Sequence, residues 1–221
     1  MQIADIGAAL LDLVFPRNCI VCGKEVFLLS RFCVCRTCCE KLVSKPPMIT
    51  AKGHGCDQIM SPLPYKGMIR RAMIDYKFNG IKYPGYSFAR VIADRVKDMK
   101  IDPEKCVIIA VPIHVSRDRD YNQSEVIARY LAEFVGAEYL DGVLCKIKPI
   151  DRLSGMVDCD KKFFIRNSFE FNLLADIRGR DIIVVDDVYT SGATLGEVSR
   201  LLRVNGANRV YAVTACYSRK A

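Results

Sequence analysis

The sequence predicts an α/β fold, a parallel sheet with helices on both faces, preceded by a small cysteine-rich module. Three observations carry that prediction. From about residue 59 onward, short β-branched runs alternate with segments of helical period, the pattern of strands joined by crossover helices. Residues 1 to about 58 hold seven of the 11 cysteines. The stretch "DIIVVDDVYTSGATLGEVSRLL" ends an aliphatic strand on two adjacent carboxylates and then passes through small residues into a helix.

The N-terminal "MQIADIGAALLDLVF" lacks a basic leader, and Asp5 and Asp12 interrupt its apolar run. It reads as a short amphipathic helix rather than an export signal. No apolar run approaches the roughly 20 residues of a membrane span, so no membrane insertion is expected and a cytoplasmic location is. In a reducing compartment clustered cysteines mean metal more often than disulfides. Cys19 and Cys22 in "NCIVCGK" and Cys35 and Cys38 in "VCRTCCE" repeat the C-x-x-C spacing. Each pair wraps a tight knuckle, with Gly23 relieving the turn, and four thiolates close a tetrahedral shell around a structural Zn²⁺. Cys33 and Cys39 lie close enough to replace a ligand, and Cys56 with His54 could join the module. The spacing leaves these alternatives open.

A loop-like "VSKPPMITAKGHG" places the boundary near residue 58, with an α/β domain over residues 59–221. Within it "QIMSPLPY" reads as a short strand, "GMIRRAMIDYKF" and "YSFARVIADRVKDM" as helices, and "CVIIAVPI" as a buried strand. "SEVIARYLAEFVG" is a helix closed by Gly136, and "DGVLCKI" a further strand. A polar, irregular segment from Lys148 to Asn167 interrupts the pattern; "DIIVVDD", "TLGEVSRLLRVNG" and "RVYAVTACY" restore strand, helix, strand. Cys106, Cys145 and Cys216 fall in apolar strand-like runs and are expected in the core.

The formal charge is +8, and between Ser61 and Lys105 ten Lys/Arg face five acids. Such an excess suits a phosphorylated ligand or a nucleic acid, and equally a solvated helix face.

The chemistry concentrates in the opening stretch. The strand Ile182 to Val185 delivers Asp186 and Asp187 to its carboxyl end, the edge at which open α/β sheets bind ligands. "TSGAT" then turns into a helix whose first N–H groups, with the Thr190, Ser191 and Thr194 hydroxyls, make an anion cradle. Carboxylates beside such a cradle would repel a bare phosphate. They suit the hydroxyls of a sugar attached to it, so the implied ligand is a ribose 5-phosphate. The two acids are expected to repel each other in an empty site, so neutralising Asp187 should scarcely change stability.

"VVDDVYTSGAT" resembles the 5-phosphoribosyl-1-pyrophosphate (PRPP) motif of type I phosphoribosyltransferases from end to end. "VPIHVSRDRDYNQSEVIARYLA" is similar to a segment of ComF-family proteins in which Val-Pro precedes a basic loop ending in Arg-Gly-Phe-Asn-Gln, here Arg119, Asp120, Tyr121, Asn122 and Gln123. With the cysteine pairs and "YKGMIRRAMIDYKFNG", this resemblance spans nearly the whole chain. It implies a type I phosphoribosyltransferase-like parallel-sheet domain with a small N-terminal zinc module of four cysteines, associated with competence and the uptake of DNA.

By that resemblance Asp186 and Asp187 bind the ribose hydroxyls, and Thr190, Ser191, Gly192, Ala193 and Thr194 the 5-phosphate. Pro112, Ile113 and His114 face the pyrophosphate with Mg²⁺, and Arg117 and Arg119 are candidates to stabilise the leaving group. Two departures weaken the catalytic side. Asp120 replaces the glycine, and "KPIDRLSGMVDCDKKFFIRNSF" matches poorly the flexible hood that closes over PRPP. Two functional classes therefore stand: a transferase that releases pyrophosphate, or a non-catalytic module binding single-stranded DNA or a competence-related, DNA-processing protein partner. In the second, Lys66, Arg70, Arg71, Lys77 and Lys82 would contact DNA phosphates.

Overall fold

The computed structural model describes residues 17–26, 32–50, 53–99, 101–113, 121–147 and 165–218. The expected N-terminal helix, His114, Arg117, Arg119, Asp120 and most of the irregular segment lie outside them.

In chain order the strands and helices begin with a hairpin of β1 (Arg17–Asn18) and β2 (Glu25–Val26), then α1 (Arg36–Ser44) and β3 (Met48–Thr50). Next come β4 (Gln58–Ser61), β5 (Leu63–Pro64), α2 (Gly67–Phe78), α3 (Pro84–Val96) and β6 (Cys106–Ala110). Helix α4 (Gln123–Val135) leads to β7 (Glu138–Tyr139), β8 (Leu144–Lys146) and β9 (Phe169–Phe171). The chain closes with β10 (Asp181–Tyr189), α5 (Ala193–Val204) and β11 (Arg209–Tyr217).

The main sheet runs β3-β4-β11-β10-β6-β7, with β5 also on β11. All its pairings are parallel except β3 on β4. β10 lies between β11 and β6 and is covered on both faces, which is why Ile182 to Val185 read as an unbroken aliphatic run. Ile183 and Val185 face one core, shared with Met73 and Tyr76 of α2, Phe88 and Ile92 of α3, and Ile127 and Leu131 of α4. Ile182 and Val184 face the other, shared with Leu195, Val198 and Leu202 of α5 and with Phe169 of β9. Successive residues of one strand thus feed opposite layers.

The helix ends follow local chemistry. Asn122 caps α4, its Oδ1 accepting from the Ser124 N–H at 3.0 Å, and Gly136 closes it at φ 68°. The cysteine hairpin is not detached from this core: Cys19, Ile20, Cys33 and Val34 pack with α2 and α3, and the Cys33 N–H donates to Ser87 Oγ at 2.8 Å. β3, which precedes residue 58, supplies an edge strand of the main sheet.

Two expectations change. "DGVLCKI" does hold a strand, β8, but it pairs antiparallel with β9 in a separate ribbon. The strand beside β6 is instead β7, two residues long and too short to leave a pattern. Cys145 on β8 is exposed because that ribbon has an open face, whereas Cys106 and Cys216 are buried as expected. Among the described residues no helix is long and apolar enough to cross a membrane.

Candidate functional site

Pairing of β10 with β6 stops at Val185–Ala110, while β10 runs on beside β11 to Tyr189. Asp186 and Asp187 therefore stand at the open carboxyl edge of the sheet, on a strand flanked by β11 and β6. The Asp187 carboxylate meets α2: Lys77 Nζ lies 2.7 Å from Asp187 Oδ2, the two side chains being 16% and 13% exposed. Asp186 Oδ1 accepts from Ser124 Oγ at 3.2 Å and from the Asp187 N–H at 2.9 Å. Burial, and then the Asp187 charge, push the Asp186 carboxyl up to about 6, against the opposing pull of the Asp187 N–H, Lys77 and Ser124.

Lys77 departs from the exposed basic group in which the sequence reading set it. It follows Ile69, Met73 and Tyr76, the buried residues of α2, at helical spacing, and so its stem runs inward. That position on the apolar stripe was the signal available in the sequence. The expectation that neutralising Asp187 should scarcely change stability considered only repulsion from Asp186, and the contact with Lys77 argues against it. Without the carboxylate, a largely buried ammonium would lose its partner.

The small-residue loop that opens α5 follows. Gly192 opens α5 at φ 73°, a conformation that favours glycine. A Cβ there would collide with the His54 ring, so the imidazole sits directly against the loop. Thr190 is exposed, Ser191 and Thr194 are partly so, and Gly192 and Ala193 are buried. A small cleft joins the loop to the strand end, lined by Asp186, Val188, Tyr189, Thr190, Gly192, Ala193, Thr194 and Leu195. The first N–H groups of α5 have no carbonyl a turn earlier to bond, which leaves them available to an anion.

Across the strand ends, Pro112 and Ile113 follow β6 and line a cavity of about 350 Å³ with Tyr121, Asn122, Glu125, Tyr139 and Asp141. Asn122 Nδ2 donates to the Val111 carbonyl at 3.0 Å and draws the start of this loop onto α4. The two acids on the rim share one cation, Arg129, at 2.9 and 2.7 Å.

The four thiols of Cys19, Cys22, Cys35 and Cys38 gather with all Sγ atoms within 4.8 Å of one another. Zinc–thiolate bonds of about 2.3 Å put tetrahedral sulfurs roughly 3.8 Å apart, so this cluster is compatible with a structural zinc site. Cys22 and Cys35 are already at 3.7 Å. The knuckle closes through Cys19 N–H to Lys24 O and Gly23 N–H to Cys19 O, both 2.8 Å, with Gly23 at φ 77°. Cys22, accepting from the Lys24 N–H, has its thiol lowered to about 7, whereas burial raises Cys38. The alternatives left open by spacing resolve: among the described residues the grouped thiols exclude Cys33, Cys39, Cys56 and His54. Cys56 is instead buried in the core on the α5 side.

Lys66, Arg70, Arg71 and Lys82 are exposed. Arg71 pairs with Asp75, and Lys82 lies 4.9 Å over the Tyr121 ring. Arg90, Arg95 and Lys105 pair with Asp94, Asp98 and Asp102. These pairs use acids of the same stretch, so they leave the net excess between residues 61 and 105 in place and concentrate it on the remaining cations, Lys66, Arg70 and Lys82 among them.

A model of the phosphoribosyl transferase domain family matches residues 76–221, from the last turn of α2 to the end of the chain. The chain belongs to the phosphoribosyltransferase domain family. Its domain lies within a longer likeness to Competence protein F of Haemophilus influenzae, 27% identical over 204 residues, or 89% of this chain and 82% of that protein. The DNA utilization protein YhgH of Salmonella typhi is 24% identical over 90% of this chain and 89% of its own. These relatives agree with the ComF resemblance read from the residues. Among solved structures, a glutamine PRPP amidotransferase from B. subtilis aligns at 17% identity and TM-score 0.41, covering 65% of this chain and 30% of that one. A hypoxanthine-guanine phosphoribosyltransferase of L. donovani aligns at 15% and 0.37, covering 59% and 67%.

The phosphoribosyltransferase domain's carboxylate pair carries a pH signature. Folding raises the Asp186 pKa from 3.8 to about 6, so its effect favours the fold at acid pH and is lost as pH rises through about 6. Asp186→Asn keeps the acceptor for Ser124 and removes the charge. Relative to wild type it should gain up to about 2–3 kcal/mol at pH 7.5 and little near pH 4, as read from urea unfolding across that range. A gain that did not vary with pH would contradict the assignment.

Proposed function

We propose that this protein is a PRPP-binding, ComF-type phosphoribosyltransferase-like protein acting in DNA uptake. The observation that carries the reading is the juxtaposition of Asp186 and Asp187 with the Gly192-opened loop at the end of the central strand. Each carboxylate accepts a hydrogen bond from a ribose hydroxyl, and Thr190 to Thr194 hold the 5-phosphate through N–H and hydroxyl donors. Pro112 and Ile113 face the diphosphate. Mg²⁺, when bound with the ligand, would supply positive charge to neutralise the diphosphate. The names of the two relatives, Competence protein F and DNA utilization protein YhgH, support the DNA-uptake context.

Charge-assisted hydrogen bonds of this kind are worth about 1.5–3 kcal/mol each. Asp187→Asn should therefore weaken PRPP about tenfold or more. Thr194→Val should weaken PRPP and ribose 5-phosphate alike, and free pyrophosphate should feel neither change strongly. Calorimetry with the three ligands makes the comparison. Unchanged PRPP affinity in Asp187→Asn would mean that the carboxylate does not hold a ribose.

The thiol cluster takes one structural Zn²⁺ through Cys19, Cys22, Cys35 and Cys38. Metal analysis should find about one equivalent per chain, and Cys22→Ser should release it with loss of stability in the N-terminal module. A metal-free protein of full stability would remove zinc from the account.

The exposed Lys66 and Arg70 at the start of α2, with Arg71 and Lys82, favour a second activity, binding of single-stranded DNA. Arg70→Glu with Arg71→Glu should weaken binding of a labelled oligonucleotide and flatten its dependence on salt. Binding indifferent to both changes would leave this face merely solvated.

A further inference from the structure

Lys77 is the one cation of the basic segment that the described structure brings to the carboxylate pair, and the ribose-phosphate reading alone gives it no role. Its 2.7 Å contact with Asp187 is largely shielded from water. Isolated burial of such a pair is costly, and apolar side chains would fill the same volume more cheaply. The fold nevertheless fixes Lys77 there. Gln123 Nε2 donates to the Lys77 carbonyl at 3.2 Å, Tyr121 Oη donates to the Tyr76 carbonyl, and Tyr76 Oη donates to the Gln123 carbonyl at 2.9 Å.

Those partners open α4 on the far side of the loop that starts at Pro112 and Ile113, and Asn122 ties Val111 to the same corner at 3.0 Å. Lys77 thus enters from the face of α2 and α4, whereas the phosphate cradle opens α5 on the opposite face of the sheet. A ribose seated on Asp186 and Asp187, with its 5-phosphate toward α5, would turn its C1 substituent toward the Lys77 side. An ammonium has three donors; one on Asp187 leaves two for a second anion.

We propose that Lys77 is a specificity-determining residue whose ammonium bridges Asp187 and the diphosphate on C1, selecting ribose 5-phosphates that carry an anionic C1 substituent. This rests on the ribose-phosphate reading above. The test is calorimetry of PRPP and of ribose 5-phosphate, both with Mg²⁺, on wild type, Lys77→Met, Lys77→Gln and Lys77→Arg, with thermal unfolding of each variant alongside. Lys77→Gln still offers Asp187 a donor and serves if Lys77→Met does not fold. PRPP should weaken about tenfold or more in Lys77→Met or Lys77→Gln, and ribose 5-phosphate by less than about threefold. Lys77→Arg should keep most of the preference. Equal loss of both ligands would make Lys77 a structural counter-ion only, and no loss would take it out of the site. Wild-type protein that binds neither ligand overturns the ribose-phosphate reading and this inference with it.

Discussion

Two carboxylates on neighbouring residues at the end of a buried strand need compensation, and the way it is supplied organises the molecule. Lys77 answers Asp187 at 2.7 Å, while Asp186 takes a hydroxyl and a main-chain N–H. To hold an ammonium at that depth, the last turn of α2 must be fixed against α4. The exchange among Tyr76, Lys77, Tyr121 and Gln123 does this, with Tyr76 fully buried beneath it. Gly85 is drawn into the same constraint, since a Cβ there would come 2.5 Å from Tyr76 Oη. The ion pair, the α2–α4 contact and the close approach of α3 are therefore one packing problem with one solution.

The thiol cluster obeys a comparable economy of position. Seven cysteines before residue 58 offer several sets of four, and spacing alone favours two pairs without excluding the rest. Packing decides the set. Cys33 is fully buried and its N–H is committed to Ser87 on α3, so it faces the main core. Cys39 follows Cys38 on α1, and a one-residue step turns its side chain about 100° away from the direction that serves Cys38. The knuckle thereby does two things with adjacent residues: Cys19 offers its sulfur to the cluster while Ile20 enters the core with α2 and α3.

What was legible in the sequence is what short-range chemistry sets. The boundaries of α2 and α5 follow from helical periodicity and from Gly192, and β10 and β11 from unbroken aliphatic runs. The carboxylate pair and the loop after it were readable because residue type, order and strand end coincide there. Contacts between elements distant in sequence were not. Nothing within a window around Ser124 points to Asp186, 62 residues away. His54 beside a glycine reads as a turn residue or a spare metal ligand, and only the fold sets its ring against Gly192. The sheet partner of β6 escaped for another reason. A two-residue strand has no period, and its place is decided by the parallel edge it completes.

The distribution of charge bears on how the two proposed ligands would be recognised. Arg70 and Lys77 are seven residues apart on one helix, about 10 Å along its axis, which exceeds the Debye length of about 8 Å at physiological ionic strength. The exposed cations at the start of α2 are therefore largely screened from the carboxylate pair by the solvent between them. A small phosphorylated ligand would be sensed by the groups that touch it, Lys77 and the α5 cradle, and its affinity should owe little to the net charge of +8. A polyanion laid across the surface samples the opposite set. It would meet Lys66, Arg70, Arg71 and Lys82, and would find Lys77 turned inward on Asp187. One helix would thus present its first turns to a polymer, while its last turn meets the buried Asp187.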